Sequence, residues 1–152
     1  MNLDKHSIQW RTPPNLGWIE YKLSQTELDY VWSCVDTREK NNCNSNLAGN
    51  IDSSFTLYDK DDWFFKNTIF PLISHYNITF KNLVATLPFH GREEIELKMN
   101  TWWVNYQKEN EFNPIHAHTG VYSFVIWLKI PTEYKEQNKN FNTNAPEKST
   151  FG

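Results

Sequence analysis

Two histidines one residue apart, in Asn113-Pro-Ile-His116-Ala-His118, stand just before the most hydrophobic run of the chain, Val121 to Ile130. Residues i and i+2 of a β-strand point to the same face, so His116 and His118 can aim two imidazoles at one metal ion. If the strand runs on unbroken, Tyr122, Phe124 and Ile126 share that face and set the pair at the mouth of an apolar interior. Metals that work on oxygen require such a dry, shaped pocket. His-x-His is also a short pattern that arises where two rings are merely solvated or structural, so the surrounding elements have to separate the two readings.

Other candidates have simpler explanations. His75, near the end of a helical stretch, reads as a cap for its last carbonyls. His90, in Pro88-Phe-His-Gly91, reads as a turn residue, with a place at a pocket edge as the alternative, and His6 carries no signal. Cys34 and Cys43 are too few and too irregular for a disulfide framework or a zinc knuckle and read as free thiols. Trp102, Trp103 and Trp127 read as core, with an aromatic substrate wall as the alternative. Nucleophile-elbow, P-loop, GxGxxG, CxxC and HExxH patterns do not occur, which leaves hydrolase, kinase, Rossmann and zincin readings without a motif.

The elements that must position the histidines are legible from periodicity. Gly17 to Leu23 alternates and reads as a short strand. Ser24-Gln-Thr-Glu27 fits a capping box, and Leu28, Val31, Trp32 and Val35 follow at i, i+3, i+4, i+7, which predicts an amphipathic helix over 24–37. A second helix is expected from Asp59 to Asp62 onward, with Phe65, Ile69, Leu72, Ile73 and Tyr76 on one face and a kink or restart at Pro71. Asn41 to Ser54 reads as a polar loop. From Glu94 the period becomes two: Ile95, Leu97 and Met99 alternate with charged residues, and Thr101 to Tyr106 is aromatic and β-branched. After the turn-rich Glu109 to Pro114, Thr119 to Ile130 is apolar on both faces, as in a strand covered on both sides. Helices followed by strands give an α+β chain whose second half is a β-sandwich or jelly roll.

At 152 residues the chain suits one domain. The divisions expected are an N-terminal α/β part over 1–93, the start of a jelly roll over 94–137, and a polar loop or tail over 138–152. A net charge of -3 without a Lys/Arg cluster gives no support to nucleic-acid binding. The run 121–130 is about half of what a membrane span needs, and the N-terminus shows no secretory leader, so a cytoplasmic protein without a membrane partner is expected.

The segments Leu47-Ala-Gly-Asn-Ile51, Asp61-Asp-Trp-Phe-Phe65, Trp103-Val-Asn-Tyr-Gln-Lys108 with Phe112-Asn-Pro-Ile-His-Ala-His118, and Val121-Tyr-Ser-Phe-Val-Ile-Trp127 resemble the 2-oxoglutarate/Fe(II)-dependent oxygenases encoded in phage and marine bacterial genomes. The resemblance spans about residues 17 to 135. It implies an N-terminal helical layer, a double-stranded β-helix (jelly-roll) core, and, for a phage-encoded chain, a place in the host cytoplasm. It implies Fe(II) held by His116 and His118, and 2-oxoglutarate as cosubstrate within hydrogen-bonding reach of Asn105, Tyr106 and Ser123. The substrate class, whether protein side chain, nucleotide or small molecule, stays open.

Two departures from the family pattern stand out. His118 occupies the position where the family usually has a carboxylate, so the metal would carry one more unit of positive charge. The family's distal His and its 2-oxoglutarate-anchoring Arg or Lys lie tens of residues further on, and beyond His118 this sequence contains neither His nor Arg. The expectation is therefore the front portion of a longer oxygenase, inactive by itself. The alternatives are a non-catalytic jelly-roll binding or structural module, such as a virion component, and a cupin-type metal enzyme that does not use 2-oxoglutarate.

Overall fold

The computed structural model describes residues 17–80, 96–118 and 120–131. The chain divides into two compact units, Met1–Tyr122 and Ser123–Gly152. His6, His90, Glu94, Ile95, Thr119 and the 138–152 tail lie outside the described residues.

Helix α1, Gln25–Asp36, starts at the expected capping box: Ser24 Oγ accepts from Glu27 N–H at 3.3 Å, and the Glu27 carboxylate accepts from Ser24 N–H at 2.7 Å. Two orphan donors of the first turn are thereby satisfied. The buried face is Glu27, Val31, Cys34 and Val35. It is rotated from the expected one, leaving Leu28 half-buried and Trp32 exposed. The reason is Glu27, whose carboxylate also accepts from the hydroxyls of Ser24 (2.7 Å), Tyr21 (3.0 Å) and Thr68 (2.7 Å). A charge so fully hydrogen-bonded is tolerated where an unpaired one is not.

The second helical stretch begins after a turn, Lys60–Asp62, in which Asp61 and Asp62 take positive φ of 58° and 55°. Short polar side chains visit this region at modest cost. Asp59 accepts from the N–H groups of Phe64 and Phe65, both at 2.9 Å, and so caps the stretch. The backbone then widens into a π-helix, Phe65–Ile69, before helix α2, Phe70–Thr79, which carries Pro71 in its first turn. Proline cannot donate and its ring crowds the preceding turn, so the expected break at Pro71 takes the form of this register change. The change also moves the inner face: Phe64 and Thr68 are buried, whereas Phe65 and Ile69 are only half-buried.

Phe64 has no exposed surface and stacks on the Trp102 ring at 5.3 Å. Val31, Cys34, Val35, Ile51 and Leu57 complete the core. Strand β1, Ser54–Thr56, pairs antiparallel with β2, Trp103–Asn105, in the register Ser54↔Asn105, Phe55↔Val104, Thr56↔Trp103. β2 falls inside the strand expected over 101–106. β1 lies at the edge of what reads as a polar loop, and that loop is tied down by a 3-10 turn, Asn44–Asn46, and by antiparallel bridges Asn42↔Phe55 and Asn50↔Phe112. From 96 to 100 burial alternates with the expected period, Leu97 and Met99 half-buried, without a ladder.

Two expected strands are corrected. Residues 17–23 form none, and Trp18, Ile19 and Tyr21 are exposed. Residues 120–131 form none either: Phe124, Val125, Trp127 and Ile130 are exposed, and Trp127 is not core. An apolar strand needs a paired edge, and no strand among the described residues forms a ladder with this segment. The mixed α+β class stands, with two α-helices and a two-stranded antiparallel sheet among the described residues. No helix among the described residues is long and apolar enough to cross a membrane.

Candidate functional site

His116 and His118 come together, with ring centroids 4.6 Å apart and planes at 53°. They do so on an irregular segment rather than on a strand, and both side chains are exposed. His116 Nδ1 lies 2.7 Å from the carbonyl oxygen of Pro114. A carbonyl only accepts, so Nδ1 is the donor, and in the neutral ring the lone pair is on Nε2. This is the arrangement by which a metal-binding histidine is commonly oriented, the far nitrogen being left for the ion.

The segment is held from two sides. Upstream, Glu111 N–H donates to Lys108 O at 3.2 Å, closing a turn over Glu109 and Asn110, the latter at φ 66°. The Glu111 carboxylate reaches back to accept from Lys108 N–H (2.7 Å) and across to accept from Asp52 N–H (3.0 Å). The Lys108 amide, then the Asp52 amide, hold that carboxyl below its ordinary value. Next to it Asn50 N–H donates to Phe112 O (2.8 Å) and Phe112 N–H to Asn50 O (3.3 Å), joining the histidine segment to the 47–51 loop.

Between these segments lies a shallow recess of about 20 Å³, open to solvent. Residues of three segments line it: Leu47, Gly49 and Ile51, then Trp103 and Asn105 with Ser54, and Asn113 with His116. Trp103 and Asn105 both line it because they are i and i+2 on β2. Ser54 Oγ donates to Asn105 Oδ1 at 2.8 Å across the sheet, which leaves the Asn105 amide N–H groups as its donors.

Of the three residues placed near 2-oxoglutarate by resemblance, Asn105 shares this recess with His116. Tyr106 does not line it: its ring meets Phe55 edge-on at 5.9 Å, and the Arg38 guanidinium lies 5.2 Å over each of the two rings. Ser123 belongs to the other unit and is exposed. The tryptophans separate: Trp102 is core and Trp103 walls the recess. His75 is exposed on α2. Cys34 is buried, and that burial pushes its thiol up, while Cys43 donates its Sγ–H to Ser54 O at 3.3 Å.

Ser54, Gly49, Asn113 and Glu111 are the residues that sequence reasoning missed. Gly49 falls within a segment that carries the resemblance, but its place beside His116 is set by a bridge between residues 62 positions apart. Among the described residues, no group of three or more His, Cys, Asp or Glu side chains is placed to hold a metal ion. The chain matches no known family model, no curated protein and no solved structure.

Proposed function

We propose that His116 and His118 are two ligands of a divalent metal, in a 2-oxoglutarate- and Fe(II)-dependent oxygenase of jelly-roll type. The observation that supports this best is the close pair of imidazoles, one of them held at Nδ1 by the Pro114 carbonyl so that Nε2 is left for an ion. The donor set fits two positions of an Fe(II) site; the third ligand has to come from outside the described residues. Fe(II) with 2-oxoglutarate would supply the oxidative decarboxylation that drives hydroxylation of a substrate C–H. The protein's part would be to hold the ion through His116, which lines the recess, and His118. Asn105, which shares the recess, would offer its amide N–H groups to a cosubstrate carboxylate, and Trp103 and Ile51 would present apolar surface beside it.

Co(II), a spectroscopic stand-in for Fe(II), tests the metal site directly. Titration followed by visible absorption is expected to show binding that His116→Ala weakens at least about tenfold, the usual cost of disturbing a ligand's surroundings and less than that of removing a ligand. Unchanged affinity in His116→Ala overturns the site. Succinate formed from 2-oxoglutarate only with Fe(II), and lost in His116→Ala, supports the oxygenase. Thermal melts indifferent to Fe(II), chelator and 2-oxoglutarate would favour a non-catalytic binding module instead.

A further inference from the structure

The Asn50↔Phe112 bridge exchanges both N–H···O bonds, so Gly49 and Asn113 are the next residues facing each other across it. Such a pair brings its side chains close together. Here one of the two has none. A Cβ built on Gly49 would lie 2.3 Å from Asn113 Oδ1, so the Asn113 carboxamide occupies the space that glycine leaves empty. Asn113 is followed by Pro114, whose ring fixes φ, and the Pro114 carbonyl is the acceptor that sets the His116 ring. The seat of one carboxamide thus lies one residue before the carbonyl that sets the direction of the His116 lone pair.

We infer that Asn113, seated over Gly49, is the positioning residue for His116. It acts through Pro114 to hold the ring in the Nδ1–H tautomer. The purpose of this device rests on the metal-site reading above, but its presence does not. Gly49→Ala is the sharp perturbation, because the nearest obstructing atom is the end of the flexible Asn113 side chain, with Ile51 Cδ1 next at 3.3 Å, so the carboxamide is the group expected to move most. Asn113→Ala removes the carboxamide without adding bulk at position 49.

The test reads the tautomer of metal-free protein by ¹⁵N NMR of the imidazole rings, at about pH 8.5 where an ordinary imidazole is neutral. The wild type is expected to show His116 as the Nδ1–H form, and Gly49→Ala as a mixture of the two tautomers. Asn113→Ala is expected to show the same mixture, and Gly49→Ala is expected to add nothing in the Asn113→Ala background, since both remove one contact. A His116 tautomer unchanged by Gly49→Ala overturns the inference, as does a Gly49→Ala effect of equal size in both backgrounds. Co(II) affinity of Gly49→Ala is expected to fall about tenfold alongside. Absence of Co(II) binding by the wild type would sink the metal reading while leaving the tautomer result to decide this one.

Discussion

Glu27 is a point at which the fold is sensitive to one carboxylate. Its substitution by alanine takes an acceptor from four donors, but the four do not suffer equally. Ser24 and Tyr21 are exposed and regain water, whereas the Thr68 hydroxyl belongs to a residue only 2% exposed and cannot. Hydrogen bonds to a charged group contribute about 1.5–3 kcal/mol, and a stranded buried hydroxyl costs about 1–3 kcal/mol. Glu27→Ala is therefore expected to lose about 3 kcal/mol near neutral pH. Thr68→Val is expected to lose about 1–2 kcal/mol, since the carboxylate keeps its three donors on the other oxygen. In the double variant no hydroxyl is stranded, so its loss should fall about 1 kcal/mol short of the sum.

The effect is also pH-dependent. Burial pushes the Glu27 carboxyl up, but the bonds from Ser24, Thr68 and Tyr21 outweigh burial and hold it below its ordinary value of 4.5. A carboxyl lower in the folded than in the unfolded state stabilises fully above the unfolded value, and that contribution is lost as pH falls through the folded value. Urea unfolding followed by tryptophan fluorescence should show the gap between wild type and Glu27→Ala at about pH 7 narrowing at about pH 3. A gap that does not change with pH, or single losses that simply add, would refute the reasoning.

Asp59→Ala removes the acceptor of Phe64 N–H, Phe65 N–H and the Tyr30 hydroxyl, the last at 2.6 Å. A loss of about 1–2 kcal/mol in the same assay is expected, as for a helix cap. The Tyr30 phenol, held well above its ordinary 10.0 first by burial and then by Asp59, should titrate lower in Asp59→Ala by alkaline absorbance; an unmoved titration would dismiss Asp59 as a contributor. A thiol reagent at about pH 8 is expected to label half-buried Cys43 in the native protein and buried Cys34 only on unfolding, and equal labelling rates would contradict the packing of α1.

What could be read from sequence was what short range decides. The α1 cap needs only Ser24 and Glu27, three residues apart, and it is where the spacing puts it. The face of α1 was not legible, because it turns on Thr68, which is 41 residues from Glu27. The interruption at Pro71 follows from proline chemistry, but its form as a π-helix depends on how Phe64 and Thr68 meet the core. β1 escaped notice because its residues, Ser54, Phe55 and Thr56, follow an asparagine-rich stretch and become a strand only through their register with β2. The run 121–130 shows the opposite error: apolar content says that side chains want cover and nothing about where the cover comes from. The histidine pair was legible from its spacing, although a turn and a proline bring the rings together, not strand alternation.

The site also has a charge problem that its geometry makes explicit. His116 and His118 are neutral as ligands, and the side chains that share the recess, Ser54, Asn105 and Asn113, are neutral as well. Glu111, the nearest carboxylate in sequence, spends its two oxygens on the amides of Asp52 and Lys108 and fixes the backbone instead of facing an ion. A divalent metal in the proposed centre would thus keep its full charge against the protein. What neutralises it has to arrive with the third ligand or with the cosubstrate, and 2-oxoglutarate is a dianion. Binding of metal and of cosubstrate would then be coupled, each raising the affinity of the other by the same factor, more strongly than in a site whose own carboxylate has already lowered the charge. Two neutral histidines in the proposed centre would thereby shift the electrostatic requirement from the protein to its ligands.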